Sequence, residues 1–522
     1  MNRRKFVARA LTASGGLALP GGNDFHFHLS EASAGELPRA SHRLPETDVH
    51  YRKVRSYVEE VPVPEYHWAS EQAYETFRDI KYGVRLHWGL YSNLEWQHES
   101  WPFLKLSYPE RQTYQQLYQS WNPRDFDADA WMSLFAESGL KMFAFTSKHH
   151  DGFSMFDTKT RVKSRVNWAA PGGPKIESCD LPYSIMETPF RRDVVRELCS
   201  AARKRGIKID LYFSHPDWYD ADFRPYALHP LQVPSSSSLT VDWQETTKAL
   251  GDRMVMVDDP TPEETRRMVE RHRAQLVELL SNYGEIDMMC LDQWLGPSMW
   301  PHLRETLLKL RQIQPNVMFR ARGIGNYGDY YTPENFVPSD KDENNVPWFV
   351  IYPLGYSFSY DPEAKNYKGA AWIVRNLVDT VSKGGNFMVG IGPDGSGKFH
   401  PTAAAQLKEA GEWLEINGQA IYATRPRKGS LYKEGEEIRY TQSKDHRFIY
   451  AFCFSWPGRE LNLRTVTPKE GSKIVLLGQD KPLKWRMDSE RGLVIELPGQ
   501  FYEQASGPSP LACCFRIESL PR

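Results

Sequence analysis

From Tyr82 to Ile391 the chain alternates short apolar runs with longer stretches of helical spacing. That alternation confines it to a parallel sheet with helical crossovers. Tyr82 to His87, Lys141 to Thr146, Ile207 to Phe213, Ile286 to Asp292, Val317 to Arg320 and Asn386 to Ile391 read as strands. Between them, Asp127 to Ser138, with Asp127 as N-cap and Gly139 beyond its end, reads as a helix. Arg192 to Arg205 closing on Gly206, Pro262 to Tyr283, Trp300 to Ile313 and Ala371 to Ser382 read the same way. Repeated strand–helix units favour an irregular (β/α)8, TIM-like barrel over an open doubly wound sheet. No Gly-x-Gly-x-x-Gly follows a strand and opens a helix, so nothing points to dinucleotide binding. After about Arg425 helical spacing stops, and Glu437–Tyr440, Phe448–Phe452, Lys473–Leu477 and Gly492–Glu496 alternate with turn residues. That pattern predicts a C-terminal β-sandwich. The expected organisation is a signal segment over 1–34, a barrel over 48–425 with a polar, aromatic lead-in from Asp48 to Tyr74, and a sandwich over 426–522. Ser235 to Ser238 marks a polar insertion.

At 522 residues the chain exceeds a single core. A net charge of -1 leaves no electrostatic footprint for nucleic acid, and no apolar run spans a bilayer. Arg3-Arg4-Lys5-Phe6, ahead of the mild apolar stretch Leu11 to Pro20, looks like a twin-arginine export signal with a small-residue cleavage site near Ala32-Ser33-Ala34. That predicts an exported protein, periplasmic or extracellular and bacterial. The six cysteines, Cys179, Cys199, Cys290, Cys453, Cys513 and Cys514, show no metal-ligand spacing and are too few for a disulfide framework. Cys199 and Cys290 fall in predicted helix and strand interiors, where a thiol acts as a small apolar group. All six are expected to be structural.

The predicted strands end in chemistry: His87-Trp88-Gly89, His149-His150-Asp151-Gly152, Tyr212-Phe213-Ser214-His215 and Asp292-Gln293-Trp294. In a parallel barrel these ends form one rim, where active sites sit. Two imidazoles and the Asp151 carboxylate are expected there together. Asp292, after Met-Met-Cys-Leu, is costly unless it lies at that rim; flanked by Trp294, it is a candidate nucleophile or base, or else a helix cap. Downstream, the Gly-rich Arg320 to Glu334 loop brings Arg322, Asp329 and Glu334 to the rim. Two carboxylates across a pocket suit glycoside hydrolysis, one as nucleophile and one as proton donor. Aromatic faces such as those of the 16 Trp and 26 Tyr suit stacking on sugars, although most build cores. The paired histidines raise a metal option, but no third ligand is evident, so no metal or cofactor is expected.

His87-Trp-Gly-Leu-Tyr-Ser92, Lys148-His-His-Asp-Gly-Phe153, Lys208 to Ser214 with Trp218, the Asp292 strand end and Thr332-Pro-Glu334 together resemble the retaining α-L-fucosidases of glycoside hydrolase family 29. Val381-Ser-Lys-Gly-Gly-Asn386 running on to Pro393, and Glu412 to Gly418 with Ile421-Tyr422, fit the same family, and the likeness runs from about Tyr82 to Arg425. The resemblance implies that Asp292 is the nucleophile and Glu334 the acid/base, with Asp329 and Glu99 in reserve. It implies that His87, His149 and His150 bind fucose hydroxyls and that Tyr212 and Arg322 line the pocket. Trp88 and Trp294 join them as sugar-contacting candidates. A Glu–Trp pair touching the sugar is either Glu95-Trp96 or Glu99 with Trp101. The partner implied is a fucosylated glycan or glycoconjugate. Two departures stand out: Cys290 occupies the position two before the nucleophile where the family usually has Trp, and the Asp217 to Asp258 segment is long. A fucose-binding protein on an inactive barrel, or a hydrolase of a related sugar such as an α-L-galactoside, are the competing expectations.

Overall fold

The computed structural model describes residues 42, 44–45, 49–224, 226, 229–232, 259–338, 345–501 and 509–519. The predicted signal segment and Ser235 to Ser238 lie outside these residues. Strands β1 (Tyr82–Leu86), β2 (Met142–Lys148), β5 (Lys208–Ser214), β6 (Met288–Asp292), β7 (Met318–Phe319), β8 (Phe349–Pro353) and β9 (Asn386–Ile391) form one parallel sheet in the order β7-β6-β5-β2-β1-β9-β8. The excursion after β2 carries an antiparallel hairpin, β3 (Val162–Asn167) and β4 (Lys175–Leu181), which the apolar pattern had not marked. Nearly every barrel-strand residue is buried, as expected of strands covered on both faces.

Seven strands do not close a barrel. The gap between β7 and β8 is filled by Tyr330 to Glu334, which makes parallel bridges at Arg320↔Tyr330 on one side and at Tyr331↔Trp348 and Glu334↔Ile351 on the other. Ala321 N–H donates to Tyr330 O at 2.7 Å, Phe349 N–H to Tyr331 O at 3.1 Å and Ile351 N–H to Pro333 O at 3.1 Å. The segment expected to be purely loop is therefore an irregular eighth stave, and the fold is the expected distorted (β/α)8 barrel.

Local chemistry fixes the crossovers. Asp127 accepts from Ala130 N–H and Asp193 from Arg196 N–H, capping helices Ala128–Glu137 and Val194–Lys204. Thr261 and Glu264 form a capping box at the start of helix Pro262–Ser281. Among the described residues, no helix is long and apolar enough to cross a membrane.

The C-terminal strands form a six-stranded and a three-stranded antiparallel sheet. Leu461, Leu463, Leu493 and Ile495 of the small sheet share a core with Ile449, Ala451, Phe515 and Ile517 of the large one, which makes the expected sandwich. The large sheet's other face packs on the barrel flank. There Trp413 Nε1 donates to Ala512 O at 2.8 Å and Arg439 Nε to Asp379 at 2.6 Å.

Candidate active site

At the carboxyl ends of the strands lies a cavity of about 430 Å³, lined among others by Arg85, His87, Glu99, Trp101, His149, His150, Tyr212, Asp292, Arg322, Glu334 and Phe358. A larger hollow of about 710 Å³ opens at the opposite end, around Lys208, Met288 and Met318, and holds none of the predicted residues.

Asp292 closes β6 and is 6 % exposed. Tyr212 Oη donates to its Oδ2 at 2.6 Å, while Arg322 Nη1 and Arg320 Nη1 donate to Oδ1 at 2.9 and 3.4 Å. Burial alone would raise this carboxyl, but Arg322 and then Arg320 outweigh it and hold it well below the usual carboxylate range. It is a charged carboxylate held in a fixed orientation at the cavity wall. Glu334, at the end of the eighth stave, lies 2.8 Å from Arg320 Nη2 and 2.9 Å from Arg322 Nη1. Gln293 and Asn335, the residues after the two carboxylates, have φ of +62° and +61°. Two side-chain-bearing residues in the left-handed region at these points fit the strain stored at functional sites.

His149 and His150 follow β2 directly. Ser100 Oγ lies 2.6 Å from His149 Nδ1 and Ser214 Oγ lies 2.6 Å from His150 Nδ1. His150 thus turns Nε2 toward Asp292, 4.0 Å from Oδ2. Its ring sits between Trp101 and Trp218, with centroids at 4.8 and 5.4 Å. His87 stacks on Phe358 at 5.5 Å. Burial lowers His87 and His149 well below the ordinary imidazole range and brings His150 down to about 4. All three are neutral near pH 7 and present one donor and one acceptor each.

Glu99 enters from the loop after β1, where His98 and Glu99 have φ of +73° and +53°. It is buried, and desolvation pushes its carboxyl up to about 8, with the Glu334 charge adding to the rise. It is a neutral acid at pH 7. Glu99 and Trp101 line the cavity, while Trp96 stacks on Tyr114 at 4.8 Å outside it; the Glu–Trp pair placed at the pocket is therefore Glu99 with Trp101.

Other expected residues lie elsewhere. Trp88 is buried behind the rim against Trp121, Phe126 and Trp131, with Nε1 donating to Asp394 O at 2.9 Å. It follows His87 and so points to the opposite side of the strand. Trp294 is not among the cavity-lining residues and carries Lys53 Nζ over its ring at 4.1 Å; the left-handed turn at Gln293 breaks the alternation that would have faced it inward. Asp151 turns away from the cavity: Tyr114 Oη donates to it at 2.5 Å and Phe153 N–H at 3.3 Å. Asp329 lies outside the cavity, bonded to Arg311, Tyr74 and the Ala69 and Phe319 N–H groups, which removes it as an acid/base reserve. Cys290 is not in apolar surroundings, because Arg85 and Arg320 both donate to its sulfur.

The residue patterns missed Arg85, Arg320 and Phe358. The one signal that could have found Arg85 is a charge inside an otherwise apolar strand.

The chain matches the alpha-L-fucosidase family model over residues 58–419 and the alpha-L-fucosidase C-terminal domain model over residues 433–518. Human tissue alpha-L-fucosidase is 28 % identical over 81 % of this chain and 84 % of its own length. An alpha-L-fucosidase isoenzyme from Paenibacillus thiaminolyticus is 25 % identical with a TM-score of 0.68, over 86 % of this chain and 99 % of that one. A Bacteroides thetaiotaomicron alpha-L-fucosidase, captured as a trapped covalent intermediate with 2-fluoro-fucosyl fluoride, shares the fold at 21 % identity and a TM-score of 0.67, over 88 % of this chain and 100 % of that one. With both models matched in order and the paired carboxylates at the expected rim, the chain belongs to the alpha-L-fucosidase family of glycoside hydrolases.

Proposed function

We propose that the protein is a retaining, exo-acting α-L-fucosidase that removes terminal α-L-fucosyl residues from glycans by double displacement. The observation that carries this is the spacing of the two carboxylates. Arg322 Nη1 lies 2.9 Å from Asp292 Oδ1 and 2.9 Å from Glu334 Oε1, so these oxygens are at most 5.8 Å apart. Retaining glycosidases hold their carboxyl groups about 5–5.5 Å apart, whereas inversion needs roughly 6.5–9.5 Å to admit water. In this reading Asp292 attacks the anomeric carbon and forms a fucosyl ester while Glu334 protonates the departing oxygen. Glu334 then accepts a proton from water, which hydrolyses the ester. Neutral His87, His149 and His150 meet the sugar hydroxyls, and Trp101 offers a face.

A second reading of the proton donor has its own observation. Glu334 is tied to two arginines, Arg320 and Arg322, while burial pushes the Glu99 carboxyl up to about 8, so that it carries a proton at neutral pH. Glu99 is the alternative acid. The charged, arginine-held Asp292 speaks against an inactive sugar-binding barrel, which would have no use for a preorganised nucleophile.

The catalytic unit of this reading is the barrel over 48–425, with the sandwich over 426–522 covering its flank. The Arg3-Arg4-Lys5-Phe6 segment supports export through a twin-arginine route. Hydrolysis of 4-nitrophenyl α-L-fucoside by wild type and by Asp292→Ala, side by side, tests the proposal. Activity lost in the variant alone supports it; a silent wild type refutes it.

A further inference from the structure

An exo-acting hydrolase takes one sugar into the closed end of its cavity and leaves the rest of the substrate at the mouth, so exposure sorts the lining residues. Asp292, Tyr212, His87, His149 and His150 are all buried. Of the residues that line the cavity, only Asn335 and Tyr356 are exposed. Both stand beside Glu334. Asn335 follows it in the chain and donates its N–H to Ile351 O at 3.1 Å. Glu334 itself bridges to Ile351 of β8, and Tyr356 lies just past the end of that strand. The alternative acid leads to the same place: the ring of His98, next to Glu99, meets the Tyr356 ring at 5.6 Å and 80°. With either carboxyl as proton donor, the group attached to the departing oxygen comes away beside Tyr356.

A single exposed apolar side chain is ordinary on a protein surface, but Tyr356 differs in two ways. At 59 % exposure it is the one large apolar side chain, among those exposed in the described residues, that lines this cavity. It also stands on a fixed turn. Its N–H donates to Asp361 Oδ2 at 2.8 Å, and that buried carboxylate accepts as well from Glu363 N–H at 2.9 Å and Asn366 Nδ2 at 3.0 Å. Lys368 Nζ donates to Gly355 O at 2.7 Å on one side, and His98 N–H to Ser357 Oγ at 3.0 Å on the other. A ring with an apolar face, held in place before the ligand arrives, binds with little further ordering. We propose that Tyr356 is a specificity-determining residue that stacks on the leaving group, with the exposed Asn335 amide beside it for hydroxyls. The preferred substrates then carry fucose on a second pyranose ring, as in an oligosaccharide, and not on a ringless alcohol such as a serine or threonine hydroxyl. The inference rests on the hydrolase reading above and names the class of leaving group.

The test is kcat/KM for two disaccharides, 2-O-α-L-fucosyl-galactose and 3-O-α-L-fucosyl-N-acetylglucosamine, each divided by that for α-L-fucosyl fluoride, with wild type, Tyr356→Ala and Tyr356→Phe. Fluoride leaves without touching the mouth, and the ratio does not depend on how much of a variant is folded. For the faster disaccharide the ratio is expected to fall about 10–100-fold in Tyr356→Ala, the loss of one large apolar contact, and to be largely kept in Tyr356→Phe, which retains the ring. Methyl α-L-fucoside, whose alcohol needs the same proton but has no ring to stack, should hold its rate relative to the fluoride. A disaccharide ratio that Tyr356→Ala leaves unchanged, or a fall that methyl fucoside or Tyr356→Phe shares in full, overturns the proposal. So does a wild type that hydrolyses the fluoride and neither disaccharide. If wild type is inert even to the fluoride, the hydrolase reading fails, and thermal stabilisation by the intact disaccharides still decides the role of Tyr356. One of them should protect wild type at a lower concentration than L-fucose and lose that advantage in Tyr356→Ala; protection no better than that of fucose overturns the assignment.

Discussion

Lys148 Nζ lies 3.5 Å from Asp217 Oδ2, and neither side chain reaches solvent. The pair sits directly behind the two cavity histidines, and Arg271 completes it by donating to Asp217 at 2.7 Å and to Asp220 at 3.1 Å. Trp218 N–H donates to His150 O at 2.8 Å, so this ionic cluster and the His149–His150 corner move as one. Breaking a buried ion pair by removing one partner destabilises by about 3–5 kcal/mol, because the other charge stays buried. Arg271→Leu, which takes the cation from Asp220 and leaves Asp217 with Lys148 alone, is expected to lower stability by about that amount in urea unfolding. Lys148→Met leaves Asp217 with Arg271 and should cost less.

Gly152 is locked for a related reason. Its φ is +81°, and a Cβ there would stand 2.1 Å from Asp217 Oδ1. Gly152→Ala is therefore expected to shift Asp217 and the adjoining histidines, lowering the thermal midpoint and raising KM for the fucoside together. A variant with wild-type kinetics would show that the corner tolerates displacement.

Glu334 and Glu99 make opposite predictions for the proton donor. If Glu334 is the acid/base, Glu334→Ala should slow substrates with poor leaving groups by about 10²–10⁴-fold and nitrophenyl substrates much less, and added azide should restore turnover as a fucosyl azide. Rescue seen instead in Glu99→Ala would transfer the role to Glu99.

The pH profile follows from the signs of the shifts. Glu99 is protonated in the free enzyme up to about 8 and His150 neutral down to about 4. Activity that needs both forms should fall as pH rises through about 8 and as it drops toward 4, and Glu99→Gln should remove the alkaline limb alone. The same shift bears on folding. A carboxyl raised from its ordinary value stabilises fully below about 4.5 and loses that contribution as pH climbs to about 8. Glu99→Gln should therefore gain thermal stability over wild type between those limits, read as a difference in midpoint at pH 5 and pH 9.

Much of this site was legible because catalytic groups sit at element boundaries, where an apolar run gives way to polar residues. His87, His149, Tyr212 and Asp292 each mark such a boundary. What stayed hidden lay in strand interiors or depended on backbone turns. Arg85 sits within Gly-Val-Arg-Leu, whose apolar neighbours made it look like one more core residue. Trp88 and Trp294 share motifs with cavity residues, yet one points the other way along the strand and the other follows a left-handed residue. The eighth stave pairs by isolated bridges, which leave no periodic trace in the sequence.

That stave has a practical consequence. Glu334 ends a segment that simultaneously completes the wall of the barrel through Tyr331 and Ile351. In most barrels a rim loop can be exchanged to retune an enzyme without disturbing the scaffold. Here a loop graft across 330–334 would also unseam the scaffold, so redesign of leaving-group preference should begin from the β8 side, at Tyr356 to Phe358, and leave the seam intact.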